Sequence, residues 1–164
     1  MKKMTLVMSV ISLMLVILIS GCSTTGKTFT ITAKELNDNT KWVNSNTTFS
    51  LLYDSYEDGD TLIIKDTIST ITYDKTFNAT GISFIWDNGT QIRNFAFKGN
   101  ITDSYKNGDK VKITVHLKHV TFSYNGKNYD MEIFAEEWES QDYFIKNFDT
   151  YPFKFLPASC IEKE

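Results

Sequence analysis

Two histidines are the first residues in this chain whose type and spacing suggest chemistry. His116 and His119 are the only histidines, and they lie three residues apart, as a metal-binding pair does on a helix. The residues around them alternate as in a strand, where side chains three apart point to opposite faces unless a bulge intervenes. No triad of Cys, Asp or Glu lies close to them in the sequence. We therefore predict that both histidines line the wet face of a sheet, without a metal or a cofactor.

Four glutamates form an acidic stretch late in the chain: Glu132, Glu136, Glu137 and Glu139. Paired carboxylates perform the acid–base steps of glycoside hydrolysis, and clusters of oxygen ligands hold calcium. The chain has no Asp-x-Asp-x-Asp loop, however, and adjacent residues such as Glu136 and Glu137 point to opposite faces of a strand. We predict solvated charges that protect a sheet edge. A glycan hydrolase that uses the carboxylates around Glu137 is the enzymatic alternative.

The composition and the absent motifs restrict the function further. The sequence has no Gly-rich phosphate loop, no Gly-x-Ser-x-Gly elbow and no Cys-x-x-Cys pair. Its formal charge is −3, and about −5 once a leader containing Lys2 and Lys3 is removed. This is not the basic footprint of a nucleic-acid-binding protein. We predict a non-enzymatic protein that does not bind nucleic acid.

The N-terminus has the pattern of a leader that ends at a modified cysteine. Lys2 and Lys3 precede an apolar run, Met4 to Ile19, of about 16 residues. A membrane-spanning helix needs roughly 20, so a secretory signal fits better. The sequence Ile-Ser-Gly-Cys ending at Cys22 resembles a lipobox, the processing site of prokaryotic lipoproteins. The resemblance implies that Cys22 carries lipid and anchors the mature chain on the outer face of a membrane.

These features divide the chain into three parts. We predict a signal peptide at 1–21, a lipidated tether at 22–28 and a single β-rich domain at 29–164, since 164 residues suit one domain. With Cys22 lipidated, Cys160 is left as a lone thiol, either free or joined to another molecule. The residues before it, Pro157 to Ser159, predict an exposed tail.

Period-two alternation predicts a mainly β domain. The predicted strands are Thr48 to Tyr53, Asp60 to Tyr73, Thr80 to Trp86, Gln91 to Lys98, Lys110 to Phe122 and Tyr129 to Trp138. The two longest strands change parity near Lys65–Thr67 and near Lys118–His119, which indicates a bulge or a bend. A capping box at Thr32 and Glu35 predicts one helical turn, and Ser140 can cap a helix that runs to Phe148. The apolar residues after it predict a tail that buries Phe153 or Phe155.

The order of the last five strands, with a short helix expected between Gly99 and Asn107, resembles an OB-fold. That fold is a five-stranded Greek-key barrel with a helix between strands three and four, and its bent first strand neighbours the fourth. An up-and-down barrel or a small sandwich is the alternative. The resemblance explains why Ser-Tyr-x-(Asp/Asn)-Gly-Asp occurs twice, starting at Ser55 and, 49 residues later, at Ser104. Each copy is a turn that starts a long strand of the barrel.

The predicted ligand-binding residues lie in the loops of this barrel. OB-folds that bind single strands stack bases on outward aromatic residues, whereas Phe84, Trp86, Phe95 and Phe97 follow the core phase here. The residues left for the mouth of the barrel are Tyr73, Phe77, Arg93, Tyr124 and Lys127. We predict that they bind an envelope protein or a glycan; an oligonucleotide-binding OB-fold protein is the alternative. The N-glycosylation pattern also occurs at Asn46, Asn78, Asn88 and Asn100.

Overall fold

A computed structural model of the chain describes residues 26–85, 91–147 and 155–164. The predicted lipobox with Cys22, the turn around Asn88 and residue Phe153 lie outside the described residues. Arg93 belongs to a strand, but its side chain lies outside them as well.

The described residues form a mainly β structure, which confirms that prediction. Its strands are β1 Thr28–Ile31, β2 Thr40–Asn44, β3 Thr48–Tyr53, β4 Thr61–Thr67, β5 Thr70–Asp74, β6 Ala79–Ile85, β7 Gln91–Lys98, β8 Lys110–Tyr124, β9 Lys127–Phe134 and β10 Ile161–Lys163. The helices are α1 Ala33–Asp38 and α2 Gln141–Asn147, with short 3₁₀ helices at Ala135–Glu137 and Ala158–Cys160. The capping box of α1 forms as predicted, and the Ser140 hydroxyl accepts the Tyr143 N–H (3.1 Å) at the start of α2.

The strands form two sheets with a common core. Seven strands form a curled sheet in the order β1-β4-β8-β9-β3-β2, with β10 beside β8, and the other three form the sheet β5-β6-β7. The main core contains fully buried residues of both sheets, among them Ile64, Ile113, Ile82 and Phe97. The parity predictions for these strands are therefore confirmed where the side chains are described.

The predicted first strand, Asp60 to Tyr73, is two strands in different sheets. β4 pairs with β8, and β5 pairs with β6. Between them the Ile68 N–H donates to the Asp109 carbonyl (2.9 Å) and the Ser69 N–H donates to the Ser83 carbonyl (2.9 Å). The change of parity in the sequence thus marks the point at which the chain crosses from one sheet to the other.

The predicted five-stranded barrel is not closed in the part of the chain that the structure describes. β9 uses its free edge to pair in parallel with β3, and β7 pairs with the tail at Leu156 instead of with β9. The helix expected between Gly99 and Asn107 is also absent. That segment is a series of turns in which Ile101 is buried and its N–H donates to the Thr80 hydroxyl (3.1 Å).

Two strands near the N-terminus were not predicted. β1 begins at the residue where the predicted tether ends and pairs in parallel with β4, while β2 occupies a polar stretch and pairs with β3. β2 lacks apolar alternation because it is the edge strand of the large sheet, where most of its residues are exposed.

The second long strand, β8, changes parity at Lys118–His119 as predicted. Val115 and Leu117 face the main core, whereas Val120 and Phe122 face a second apolar cluster with Met131. The change allows one strand to pair with β4 along its first half and with β9 along its second half.

The two copies of the repeated motif form matching turns on the central pair of strands. Gly59 and Gly108 have positive φ values of 86° and 88°. The Gly59 N–H donates to the Leu117 carbonyl (3.0 Å), and the Gly108 N–H donates to the Ile68 carbonyl (2.8 Å). Each turn therefore starts one strand of the β4–β8 pair and is bonded to the residue just beyond the paired segment of the other strand. The pair has a local two-fold relation, and the prediction of two equivalent strand entries is confirmed.

The C-terminal tail is part of the fold rather than an exposed extension. Leu156 is fully buried and bonded on both sides to β7, and Phe155 is half-buried. The prediction of an exposed tail holds for Pro157 to Ser159, whereas Cys160 is half-buried and packs against the main core in a 3₁₀ helix that leads into β10. Burial raises the pKa of the Cys160 thiol to about 11, so it is protonated and unreactive at neutral pH.

Candidate ligand-binding cleft

A cleft of about 460 Å³ lies where the three-stranded sheet meets the C-terminal segments. Its lining combines aromatic rings, carboxylates, an amide and an ammonium group: Phe77, Asn78, Lys98, Glu136, Glu139, Tyr143, Phe155 and Pro157. This mixture of apolar surface and a few convergent polar groups is typical of small-ligand sites.

The β5–β6 turn holds Phe77 and Asn78 on one wall of the cleft. The Asp74 carboxylate accepts the Thr76 N–H (2.8 Å), which shapes the turn. Asn78 has a positive φ of 48°, a conformation that Asn tolerates better than most residues. The Asn78 amide oxygen accepts the hydroxyl proton of Tyr73 (2.9 Å), which fixes the orientation of the amide. Phe77 remains 43% exposed, so its ring is accessible from the cleft.

The floor of the cleft comes from the end of β7 and the tail beside it. The Leu156 N–H donates to the Ala96 carbonyl (2.9 Å), and the Lys98 N–H donates to the Leu156 carbonyl (2.8 Å). These two bonds fasten Phe155 and Pro157 on either side of a buried residue. Lys98 ends the strand with an exposed ammonium group.

The opposite wall carries the carboxylates, and here the prediction of solvated glutamates is wrong at two positions. The Glu136 side chain is only 16% exposed. Both of its oxygens accept the His116 N–H (3.2 Å each), and Oε1 lies 2.6 Å from the His116 ring Nδ1. Glu132 is buried, because it lies between β8 and β3 and accepts the Tyr53 N–H (2.5 Å). Burial raises the pKa of the Glu132 carboxyl.

The two histidines are exposed, as predicted, and each has a separate carboxylate. His116 pairs with Glu136, whereas the His119 ring Nε2 lies 2.5 Å from Asp130. The pairing register of β8 is continuous from His116 through His119, without a bulge, so the two side chains point to opposite faces of the sheet and do not share a ligand. Among residues 26–85, 91–147 and 155–164, no group of three or more His, Cys, Asp or Glu side chains is arranged to hold a metal ion.

The predicted binding residues lie in two different sheets. Tyr73 and Phe77 lie on the β5–β6 hairpin, and of the four predicted residues whose side chains the structure describes, Phe77 alone lines the cleft. Tyr124 and Lys127 flank the β8–β9 turn in the large sheet. There the Lys127 ammonium bonds the Asn44 amide oxygen and lies over the rings of Phe49 (5.8 Å) and Tyr129 (6.0 Å). The single mouth expected of a closed barrel is therefore divided into two regions.

Most of the cleft could not be found from the sequence. Lys98 was predicted only as the end of a strand and Glu139 only as a solvated charge, and no spacing relates them to Phe77 or Tyr143. The one available signal was the capping serine at Ser140, which predicted a helix immediately after the acidic stretch. The meeting of this helix with β7 depends on the tail, which pairs with a strand distant in sequence.

The arrangement suits a ligand with both apolar and hydroxylated faces. An aromatic ring such as Phe77 packs against C–H groups, while carboxylates and an amide oxygen accept hydroxyl protons and Lys98 donates to oxygen atoms. A sugar ring presents these surfaces together.

Comparison with known proteins does not extend this description: the chain matches no protein-family model and no curated protein. In the described part of the chain, no helix has the length and apolar character needed to span a bilayer.

Proposed function

We propose that this protein is a non-enzymatic, lipid-anchored binding module on the outer face of a prokaryotic membrane, and that it binds an envelope glycan in the cleft. The observation that carries the ligand class is the lining of the cleft, where the rings of Phe77 and Tyr143 occur with Glu139 and Asn78. The lipobox-like sequence before Cys22 supports the location. An envelope protein is the other partner that the location allows.

Binding of defined saccharides tests the ligand class. The full chain in detergent micelles is titrated with chitotriose and with the disaccharide of N-acetylglucosamine and N-acetylmuramic acid. We expect one of them to bind, and Phe77→Ala and Glu139→Gln each to weaken binding at least about tenfold, the loss of one packing or hydrogen-bond contact. Trp42→Ala is the matched control, since it removes an exposed aromatic residue outside the cleft. Failure of both probes to bind, or equal binding by all variants, would overturn the glycan proposal.

Product analysis tests whether the protein is an enzyme. Soluble peptidoglycan fragments incubated with the chain should remain intact over hours. Cleavage that disappears in Glu139→Gln or Glu137→Gln, with the fold retained, would make the protein a hydrolase instead.

Fractionation tests the anchor. Cys22→Ser should move the protein from the membrane fraction to the aqueous fraction. Retention of this variant in membranes would contradict the lipoprotein assignment independently of what the cleft binds.

We also propose that the central strands are an open relative of the OB-fold. When β4 and β5 are taken together as the bent first strand of an OB-fold, the pairings β4–β8, β5–β6, β6–β7 and β8–β9 are the ones expected for that fold without its closing pair.

A further inference from the structure

The β2 edge of the large sheet carries an apolar face whose inner part is covered by Trp138 and Ile145 and whose outer part is exposed. We call the strands β2 and β3 and residues 117–134 of β8 and β9 the distal arm. One row of paired residues crosses it from Val120 through Met131 and Leu51 to Trp42. Burial decreases along this row, from 7% exposed at Val120 to 66% exposed at Trp42.

A second row on the same face is aromatic and ends in a lysine. The Phe122 and Tyr129 rings stack at 4.8 Å, and Phe49 follows at 5.8 Å from Tyr129. The Lys127 ammonium lies over the rings of Phe49 and Tyr129 and donates to the Asn44 amide oxygen. Lysines whose stems cover apolar surface while their charge reaches polar surroundings are common at membrane interfaces, as are exposed Trp and Tyr. We call these two rows the Trp42 face.

The charge of this region differs from that of the rest of the chain. Residues 40–53 and 120–129 contain Lys41 and Lys127 and no Asp or Glu, although the whole chain has 20 acidic residues and a net charge of −3. Of these two lysines only Lys127 lies on the Trp42 face, because Lys41 directly precedes Trp42 on β2 and so points to the opposite face. Lys41 also pairs with Asp54 (2.7 Å). An aromatic surface whose charged residue in these ranges is a lysine suits contact with anionic lipid headgroups better than the acidic remainder of the chain does.

The point at which the chain enters the domain places this surface on the side of the predicted anchor. Gly26 packs directly on Gly59, where a Cβ atom would lie 1.8 Å from the Gly59 oxygen. Gly59 in turn bonds to Leu117, the residue at which β8 begins to pair with β9. The N-terminal segment therefore joins the domain at the base of the distal arm.

The tether between Cys22 and the domain is shorter than the distal arm. From Cys22 to Gly26 the chain spans at most about 14 Å, whereas β8 extends from Leu117 to Tyr124 for about 23 Å. Because the arm is longer than the tether and starts where the tether joins the domain, it is long enough to reach the bilayer surface. Resting on the lipid anchor of the proposed function, we propose that the Trp42 face lies on the anionic headgroups of the membrane that holds Cys22.

Quenching of tryptophan fluorescence tests this orientation. The full lipidated chain carrying Trp86→Phe and Trp138→Phe keeps Trp42 as its one indole, and it is placed in vesicles of phosphatidylcholine and phosphatidylglycerol. We expect brominated lipid to quench Trp42 and dissolved iodide to quench it little. The matched control adds Trp42→Phe and Ile85→Trp, because Ile85 is 54% exposed on the other sheet. That reporter should respond to iodide and not to brominated lipid.

Two results would overturn the proposal. Quenching of Trp42 by iodide alone would mean that the face points to water. Protection of Trp42 from both quenchers, together with a disulfide-linked dimer of Val43→Cys, would mean that a second copy covers the edge strand. Release of the chain from the vesicles would instead indicate failure of the anchor, which the Cys22→Ser fractionation detects separately.

Discussion

The two Ser-Tyr-x-(Asp/Asn)-Gly-Asp turns share a backbone and differ in what their side chains hold. In each, the final Asp accepts an N–H within its own turn, from Glu57 to Asp60 (2.8 Å) and from Lys106 to Asp109 (2.9 Å). Asp60 is buried and also accepts the Lys27 N–H (2.7 Å), which fastens the start of β1. Asp109 pairs with the Lys163 ammonium (2.9 Å) in β10.

The two tyrosines of the motif also contact different strands. Tyr56 is buried and meets the Phe29 ring edge-on at 4.9 Å, again a contact with β1. Tyr105 is half-buried and donates its hydroxyl proton to the Ile161 carbonyl (2.9 Å) in β10. The motif thus determines the turn, while the strand packed beside each copy determines what the side chains do. One copy holds the N-terminal strand, and the other holds the C-terminal strand.

The largest difference between the copies is expected at the aspartates. Asp60→Ala leaves two backbone N–H groups without their acceptor, so we expect the free energy of unfolding to fall by about 3 kcal/mol. Asp109→Ala, the matched change, should cost clearly less, because its main partner is an exposed lysine. Urea unfolding measures both variants. Equal losses would mean that the additional Lys27 bond contributes nothing.

Substituting the two glycines should lower the free energy of unfolding by equal amounts, because each glycine is required only for its positive φ. Gly59→Ala and Gly108→Ala each force a Cβ into the left-handed region, and in neither case does the new atom meet another within 4 Å. We expect each to cost about 1.5 kcal/mol in the same urea experiment. A clear inequality between the two would contradict the equivalence of the turns.

For the tyrosine hydroxyls, the loss of stability should be larger in the second turn, whereas for the aspartates it should be larger in the first. Tyr105→Phe removes the bond to Ile161 and should cost about 1 kcal/mol. It should also speed amide exchange at Glu164, whose N–H donates to the Lys110 carbonyl (3.1 Å) at the end of β10. Tyr56→Phe is the control, since no hydrogen bond of its hydroxyl is found among the described residues. A larger loss for Tyr56→Phe would contradict this assignment.

The smallest expected effect is a pH dependence of stability at the second turn. The hydrogen bond from Lys163, aided by the Lys106 N–H, holds the pKa of the Asp109 carboxyl below its usual range. A carboxyl whose pKa is lower in the folded state stabilises the fold above its unfolded pKa, near 4, and loses this contribution as the pH falls through its folded pKa. Asp109→Asn should therefore be less stable than the native chain at pH 7, and the difference should shrink below about pH 4. A difference that persists at pH 2 would show that the ion pair is not its source.

Features set by short stretches of sequence were predictable. The capping box at Thr32, the positive φ of Gly59 and Gly108, and the parity change in β8 each depend on residues that are close together in the chain. Local patterns also identified Phe77 as a turn residue with an accessible ring.

Features that depend on distant partners were not predictable in the same way. Nothing near β2 or β3 in the sequence indicates that β3 will pair with β9. This pairing occupies the edge of β9 that would have closed the predicted barrel, and it places Trp42 on the edge strand β2. Similarly, Glu136 has the sequence surroundings of a solvated charge, and only the fold brings it to His116, 20 residues away. The cleft combines segments of this kind, which is why one of its residues was predicted as a binding residue and the others were not.

The position of β3 between β2 and β9 has a consequence for how the chain folds. The bond between Tyr53 and Glu132 joins residues 79 apart, and the one between Lys127 and Asn44 joins residues 83 apart. Loops of this length must close before the large sheet gains its stabilising contacts, and such non-local topologies fold slowly. β2 and β3 come early in the chain and their partner β9 comes late, so the large sheet is completed only after most of the chain is available to fold.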